Sequence, residues 1–142
     1  MDILAYTFRT NSFNKELKDY FHDVFVFGKL KQDLVQFEKS ILLKNPKLII
    51  GIAKSDKTRF EKIAINNFNN KLIERSGKDS YNLFVPKIFD ISKIPTNSFC
   101  NYTMYRISKF IDENKLQARF SFLHLNQKEL DKFLSSIFQI SF

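Results

Sequence analysis

Residues 2–53 read DILAYTFRTNSFNKELKDYFHDVFVFGKLKQDLVQFEKSILLKNPKLIIGIA, and the change of apolar rhythm along them decides the fold. DILAYTF (2–8) suits a short buried strand. NSFNKELKDYFHD (11–23) reads as a helix capped by Asn11 or Ser12, with Phe13, Leu17, Tyr20 and Phe21 on one face. VFVFG (24–28) is a second strand. KQDLVQFEKSILLKN (31–45) is a second helix, marked by Leu34, Phe37, Ile41 and Leu42 at helical spacing. Pro46 stops it, and KLIIGIA (47–53) is a third strand. Strands alternating with helices point to a parallel sheet covered by helices.

Beyond residue 53 the rhythm loosens. RFEKIAIN (59–66) alternates and reads as one strand, YNLFVP (81–86) as a weaker one, and PKIFDISKIP (86–95) as at most a short turn. SFCNYTMYRISKFIDEN (98–114) is a helix whose buried side carries Phe99, Tyr102, Ile107, Phe110 and Ile111. LQARFSFLHL (116–125) is a strand. NQKELDKFLSSIFQI (126–140) opens with Asn126 as cap and Glu129 three residues on, and closes the chain as a helix. The reading is one α/β domain over residues 1–142: a three-layer sandwich with a mostly parallel or mixed central sheet flanked by helices.

A chain of 142 residues is long enough for a real core, and 44% apolar content fills it. The single cysteine excludes an internal disulfide framework and a structural zinc site built on several cysteines. Apolar runs such as LIIGIA (48–53) are too short to span a bilayer, and the N-terminus has no basic leader region. A cytoplasmic protein without a membrane partner is expected. The net charge of +8 invites a nucleic-acid reading. Its distribution argues against one: 18 lysines and 5 arginines are scattered, and acids interleave the densest group, Lys54 to Lys62.

Three residues stand out chemically. Cys100 opens a helix, where unpaired amides lower a thiol pKa and bind an oxyanion; most free cysteines, however, are small buried hydrophobes. His124 ends a strand, where ligands collect in parallel α/β sheets, and suits a general base as well as a packed ring. His22, in a last helical turn, needs only a structural role. Glu61 can orient a histidine or pair with Lys57, Arg59 or Lys62.

Taken in order, GIAKSDKTRFEKIAIN, NSFCNYTMYRISKFI and ARFSFLHL resemble the three signature segments of the pyroglutamyl peptidases (pyrrolidone-carboxylate peptidases), cysteine peptidases that remove N-terminal pyroglutamate. Gly51, Ala53, Glu61, Ala64, Ile65 and Asn66 match the first segment. Phe99, Cys100, Asn101, Met104 and Tyr105 match the second, and Phe122, Leu123 and His124 the third. The resemblance covers residues 47–130 and implies a phosphorylase/hydrolase-like α/β fold. It implies Cys100 as nucleophile, His124 as base and acid, and Glu61 as the group orienting the histidine. The implied reaction is acyl transfer from a peptide with a blocked N-terminus through a Cys100 thioester, with no metal or organic cofactor. Homo-oligomers are common in the family. An alternative is a family-derived domain that binds a peptide terminus or a partner without turnover.

The chain is shorter than family members, and its pocket segments differ. Phe8 keeps the first of two aromatics that flank the pyroglutamyl ring. Phe13 supplies the second only if the shortened loop bends differently; otherwise it is a core residue. Lys54-Ser55-Asp56 replaces a Gly-Gly-Arg sequence, so the loop follows another path. Lys71 stands where the family has an active-site arginine, with Arg75 as the alternative. The expected pocket comprises Phe8, Phe13, the backbone at Gly51, Ile52 and Ala53, Phe99 and Lys71.

Overall fold

The computed structural model describes residues 2–139, and of Phe138 only the backbone. The elements are β1 (Ile3–Phe8), α1 (Asn14–Phe21), β2 (Val24–Phe27), α2 (Leu30–Lys44), β3 (Leu48–Lys54), β4 (Arg59–Glu61), β5 (Ile63–Ile65), β6 (Ser80–Asn82), β7 (Asp90–Ile91), α3 (Phe99–Glu113), β8 (Arg119–Leu125) and α4 (Leu130–Ser136). Six strands form one sheet in the order β2-β1-β3-β8-β4-β7. Strands β2, β1, β3 and β8 run parallel, while β4 is antiparallel to β8 and parallel to β7.

Strand alternation sorts the core into two layers. Leu4, Tyr6, Phe8, Ile49, Phe120 and Phe122 meet Leu34, Phe37 and Ile41 of α2 and Met104 and Ile107 of α3. Ala5, Leu48, Ile50, Ile52, Phe60, Leu123 and Leu125 meet Phe13 and Leu17 of α1 and Leu130 and Phe133 of α4. The result is a three-layer α/β sandwich. Aromatic rings dominate the first layer: Tyr6 packs edge-on to Phe27 and Phe37 with centroids 5.1 and 5.0 Å apart. Each such ring contributes about 1.5–3 kcal/mol by burial. Gly51 makes room for them, since a Cβ there would lie 2.6 Å from Phe122 Cδ2 and also collide with the Tyr6 ring.

Several expectations change. RFEKIAIN is two strands, not one. The chain leaves the main sheet at Lys62, and β5 pairs with β6 in a separate antiparallel hairpin. YNLFVP keeps strand geometry only at its start; thereafter Leu83 and Phe84 donate single backbone bonds to Lys62 and Phe120. Residues 86–95 add the edge strand β7. Helix α1 starts two residues late, with Phe13 at the cap position and no side-chain cap. Asn11 is instead turned toward β1, where its Nδ2 donates to Thr7 Oγ1 at 2.8 Å. Leu42 is 55% exposed, because the buried face of α2 is that of Leu34, Phe37 and Ile41. Asn126 caps a 3-10 turn that leads into α4, and the expected helix end at Ile140 lies outside the described residues.

Candidate active site

Strands β1, β3 and β8 end at the same edge of the sheet, and helix α3 begins over that edge. Ser98 caps α3 by accepting the Cys100 amide at 3.3 Å, and Thr96 Oγ1 donates to Ser98 Oγ at 3.0 Å. The first turn is also tied to β1. Thr103 Oγ1 donates its only proton to the Cys100 carbonyl at 2.7 Å, so the Tyr6 hydroxyl, 2.9 Å away, is the donor to Thr103. Asn101 completes the anchorage. Its amide donates to the Ile65 and Asn67 carbonyls at 2.8 and 2.7 Å, and its oxygen accepts the Ile65 amide at 3.0 Å. The asparagine after the cysteine thus pins hairpin strand β5 to helix α3. Asn66 folds the following loop by accepting from the Ile73 and Glu74 amides.

Cys100 and His124 line one cleft of about 520 Å³, together with Phe8, Asn11, Ala53, Lys54 and Phe99. They are 5% and 7% exposed. His124 lies on the same face of β8 as Phe122, which it meets edge-on at 5.2 Å. Register brings in the carboxylate: Arg59 pairs with His124 and Glu61 with Phe122, so Glu61 is the diagonal neighbour of His124. Its Oε1 lies 2.9 Å from His124 Nε2, and Glu61 is 1% exposed. The two groups are in close polar contact, although the ring N–H direction misses good hydrogen-bond alignment. Ser92 Oγ donates to the same Oε1 at 2.9 Å.

The helix start does not lower the thiol pKa, as the sequence suggests it should. Burial pushes Cys100 up from its ordinary 9.0 to about 12, and the Glu61 charge adds to the rise. The Ser98 hydroxyl, the Cys100 amide and the Arg59 guanidinium pull the other way without offsetting it. The resting sulfur is a neutral thiol.

The expected pocket residues divide. Phe8, Ala53 and Phe99 line the cleft, and Phe8 and Phe99 pack edge-on at 4.8 Å, with Phe99 44% exposed. Phe13 does not: it is fully buried on the opposite face of the sheet, between α1 and the strands. Ile52 belongs to that same face, and Gly51 lies beneath Tyr6 and Phe122. Lys71 is exposed on a tight turn, where it exchanges backbone hydrogen bonds with Phe68 across Asn69 and Asn70, both at positive φ. Arg75 is likewise exposed, and His22 is an exposed helix end. In the loop replacing Gly-Gly-Arg, Ser55 Oγ accepts from Arg59 at 3.0 Å, the Asn126 amide binds the Asp56 carbonyl, and no residue adopts positive φ.

Two residues in or behind the cleft have no conspicuous sequence signal. Ser92 is a lone hydroxyl in an irregular stretch. Asn11 reads as a cap, yet it forms part of the cleft wall. The Thr7 hydroxyl donates to the Ile52 carbonyl, so it can only accept from Asn11; this fixes the amide orientation and leaves Asn11 Oδ1 buried without a partner.

Among the described residues, no group of three or more histidines, cysteines or carboxylates is placed to hold a metal, and no helix is long and apolar enough to cross a membrane. No protein-family model matches the sequence, and no curated protein does. Solved structures do match the fold. A pyrrolidone carboxyl peptidase from Thermococcus litoralis aligns with TM-score 0.70 at 16% identity, over 89% of this chain and 77% of its own. A mutant pyrrolidone carboxyl peptidase from Pyrococcus furiosus gives 0.71 at 18%, over 93% and 85%. The pyroglutamyl peptidase I from Bacillus amyloliquefaciens gives 0.70 at 15%, over 96% and 89%. The chain has the fold of these peptidases in a shortened form.

Proposed function

We propose that this protein is a cysteine peptidase that hydrolyses the amide bond following an N-terminal pyroglutamyl or closely related cyclic acyl group. One observation carries the reading: Cys100 and His124 share a cleft, and a buried Glu61 stands 2.9 Å behind the imidazole. The fold shared with pyroglutamyl peptidases supports the substrate class.

Because the thiol rests neutral, attack and proton transfer are coupled. With Nε2 against Glu61, Nδ1 is the nitrogen left to take the Cys100 proton as sulfur bonds to the substrate carbonyl carbon. Amides at the start of α3 stabilise the oxyanion. The C–N bond then breaks as the imidazolium gives its proton to the departing amine, leaving a Cys100 thioester. Water attacks next: His124 takes one of its protons, the C–S bond breaks, and the proton returns to sulfur. The acyl ring packs against the Phe8–Phe99 pair, whose half-exposed Phe99 ring suits a flat, mostly apolar lactam. Asn11 Oδ1 is the acceptor for the lactam N–H, which satisfies a buried oxygen otherwise left unpaired.

The test is turnover of a pyroglutamyl fluorogenic amide by the purified chain. Hydrolysis abolished by Cys100→Ser and His124→Ala supports the assignment. A folded chain that turns over no amide with a cyclic N-terminal acyl group would refute it.

A further inference from the structure

The segment from Asp90 to Pro95 inverts the usual order of burial. Its isoleucines are open to solvent, Ile91 at 49% and Ile94 at 80%, while Ser92 is 5% exposed. Apolar side chains left out and a hydroxyl drawn in is an unfavourable exchange unless the hydroxyl meets a partner that needs it. That partner is Glu61. Ser92 Oγ donates to Glu61 Oε1 at 2.9 Å, the oxygen that also stands against His124 Nε2. The placement is built by the sheet. Strand β7 runs parallel to β4, pairing Asp90 with Arg59 and Ile91 with Phe60. The Ser92 amide then donates to the Phe60 carbonyl at 2.8 Å, extending the ladder by one residue.

We infer that Ser92 is a positioning residue for the peptidase reaction, acting through Glu61. This rests on the function proposed above. Ser92 does not line the cleft that holds Cys100 and His124, so it touches neither the sulfur nor the substrate. What it does is fix one carboxylate oxygen. A buried carboxylate with a single partner is free to rotate about its terminal torsion; a second donor on Oε1 holds that oxygen against the ring. A Glu61 carboxylate oxygen facing Nε2 in turn favours the imidazole tautomer that carries its proton on Nε2, which leaves Nδ1 free to receive the thiol proton. The short β7, the last strand of the sheet, thereby serves the reaction without reaching it.

The experiment uses the full chain with Ser92→Ala, Ser92→Thr, Glu61→Gln and the double variant S92A/E61Q. Two readouts are taken. The first needs no substrate: imidazole 15N chemical shifts near neutral pH, simple to assign because the chain has two histidines. The second is kcat and KM on a pyroglutamyl amide. We expect Ser92→Ala to shift His124 from the Nε2-protonated form to a mixture of tautomers and to lower kcat about tenfold, with KM unchanged. Ser92→Thr restores both, and Ser92→Ala adds no further loss in the Glu61→Gln background. An unchanged His124 tautomer in folded Ser92→Ala overturns the inference, as does the same tenfold loss on top of Glu61→Gln. Should Ser92→Ala fail to fold, Ser92→Cys, a weaker donor of similar size, is expected to give an intermediate tautomer signal, and a wild-type signal there overturns it. If the wild-type chain hydrolyses nothing, the peptidase assignment fails, while the tautomer measurement still decides the role of Ser92.

Discussion

Cys100 is the only cysteine, so a thiol-directed probe reads one site without background. The structure places its pKa at about 12 against an ordinary 9.0. At any pH below 9 the folded chain then carries about a thousandfold less thiolate than an unfolded one, equivalent to about 4 kcal/mol. A thiolate of higher pKa is more nucleophilic, with a Brønsted coefficient of about 0.4–0.5, which returns roughly a factor of thirty. The folded protein should therefore react with iodoacetamide about thirtyfold more slowly than the same chain in urea at pH 8. Its rate should climb about tenfold per pH unit between 6 and 9. The assay is mass-spectrometric quantitation of alkylated protein over time across that range. A rate that is flat from pH 5 to 8, or faster than in the unfolded chain, signals a preformed thiolate–imidazolium pair and refutes the neutral-thiol reasoning. Substrate turnover should be far less suppressed than alkylation, because the amide carbonyl approaches with His124 as base and iodoacetamide recruits no such help.

The same raised pKa appears in folding. Below pH 9 Cys100 is neutral in both states; from 9 toward 12 only the unfolded chain ionises, so its contribution to stability falls by about 1.4 kcal/mol per pH unit. Comparing urea unfolding of the wild type with Cys100→Ser across this range isolates that slope. Asn101→Ala removes three hydrogen bonds to the β5–loop backbone and should cost about 3 kcal/mol, read as a lowered denaturation midpoint with an unchanged m-value. Phe99→Ala should raise KM about tenfold with little loss of stability, since the ring is 44% exposed and packs mainly on Phe8. Replacing the lactam N–H of the substrate by a ring oxygen should lower kcat/KM about tenfold or more in the wild type, and Asn11→Leu should erase that preference.

The parts of the fold legible in the sequence are those set by local periodicity. Strands and helices through residue 54 follow from apolar spacing, because each element buries one face against the same sheet. The division of RFEKIAIN is invisible for the same reason: Phe60 and Ala64 keep the alternating pattern through Lys62, and only the choice of partner strand changes. Phe13 sits at helical spacing with Leu17 whether it faces a pocket or the core; the sheet face covered by α1 settles it. Gly51 reads as strand backbone that contributes to the pocket, yet its role is the absence of a side chain beneath two rings. The order Glu61, Cys100, His124 was legible through resemblance. Their supporting contacts were not: Ser92 reaches Glu61 and Tyr6 reaches Thr103 through single side-chain hydrogen bonds across long sequence separations, which no spacing rule encodes.

Burial of Cys100 follows from the same packing. The start of α3 lies against aromatic β1 and is fastened there by the Tyr6–Thr103 link, so its amides cannot outweigh the lost hydration of a sulfur anion. A thiolate is thus costly at rest, but the reaction proposed above need not form one. As the S–C bond develops, negative charge passes to the carbonyl oxygen and the proton to the imidazole. The charge that persists on the protein is then the His124–Glu61 pair, which is held at 2.9 Å and backed by Ser92. In such a site the desolvation that silences the thiol toward small electrophiles strengthens the electrostatic support of the imidazolium. Under the proposed function, selectivity for an acyl group seated in the cleft would come from this packing, without a highly reactive cysteine.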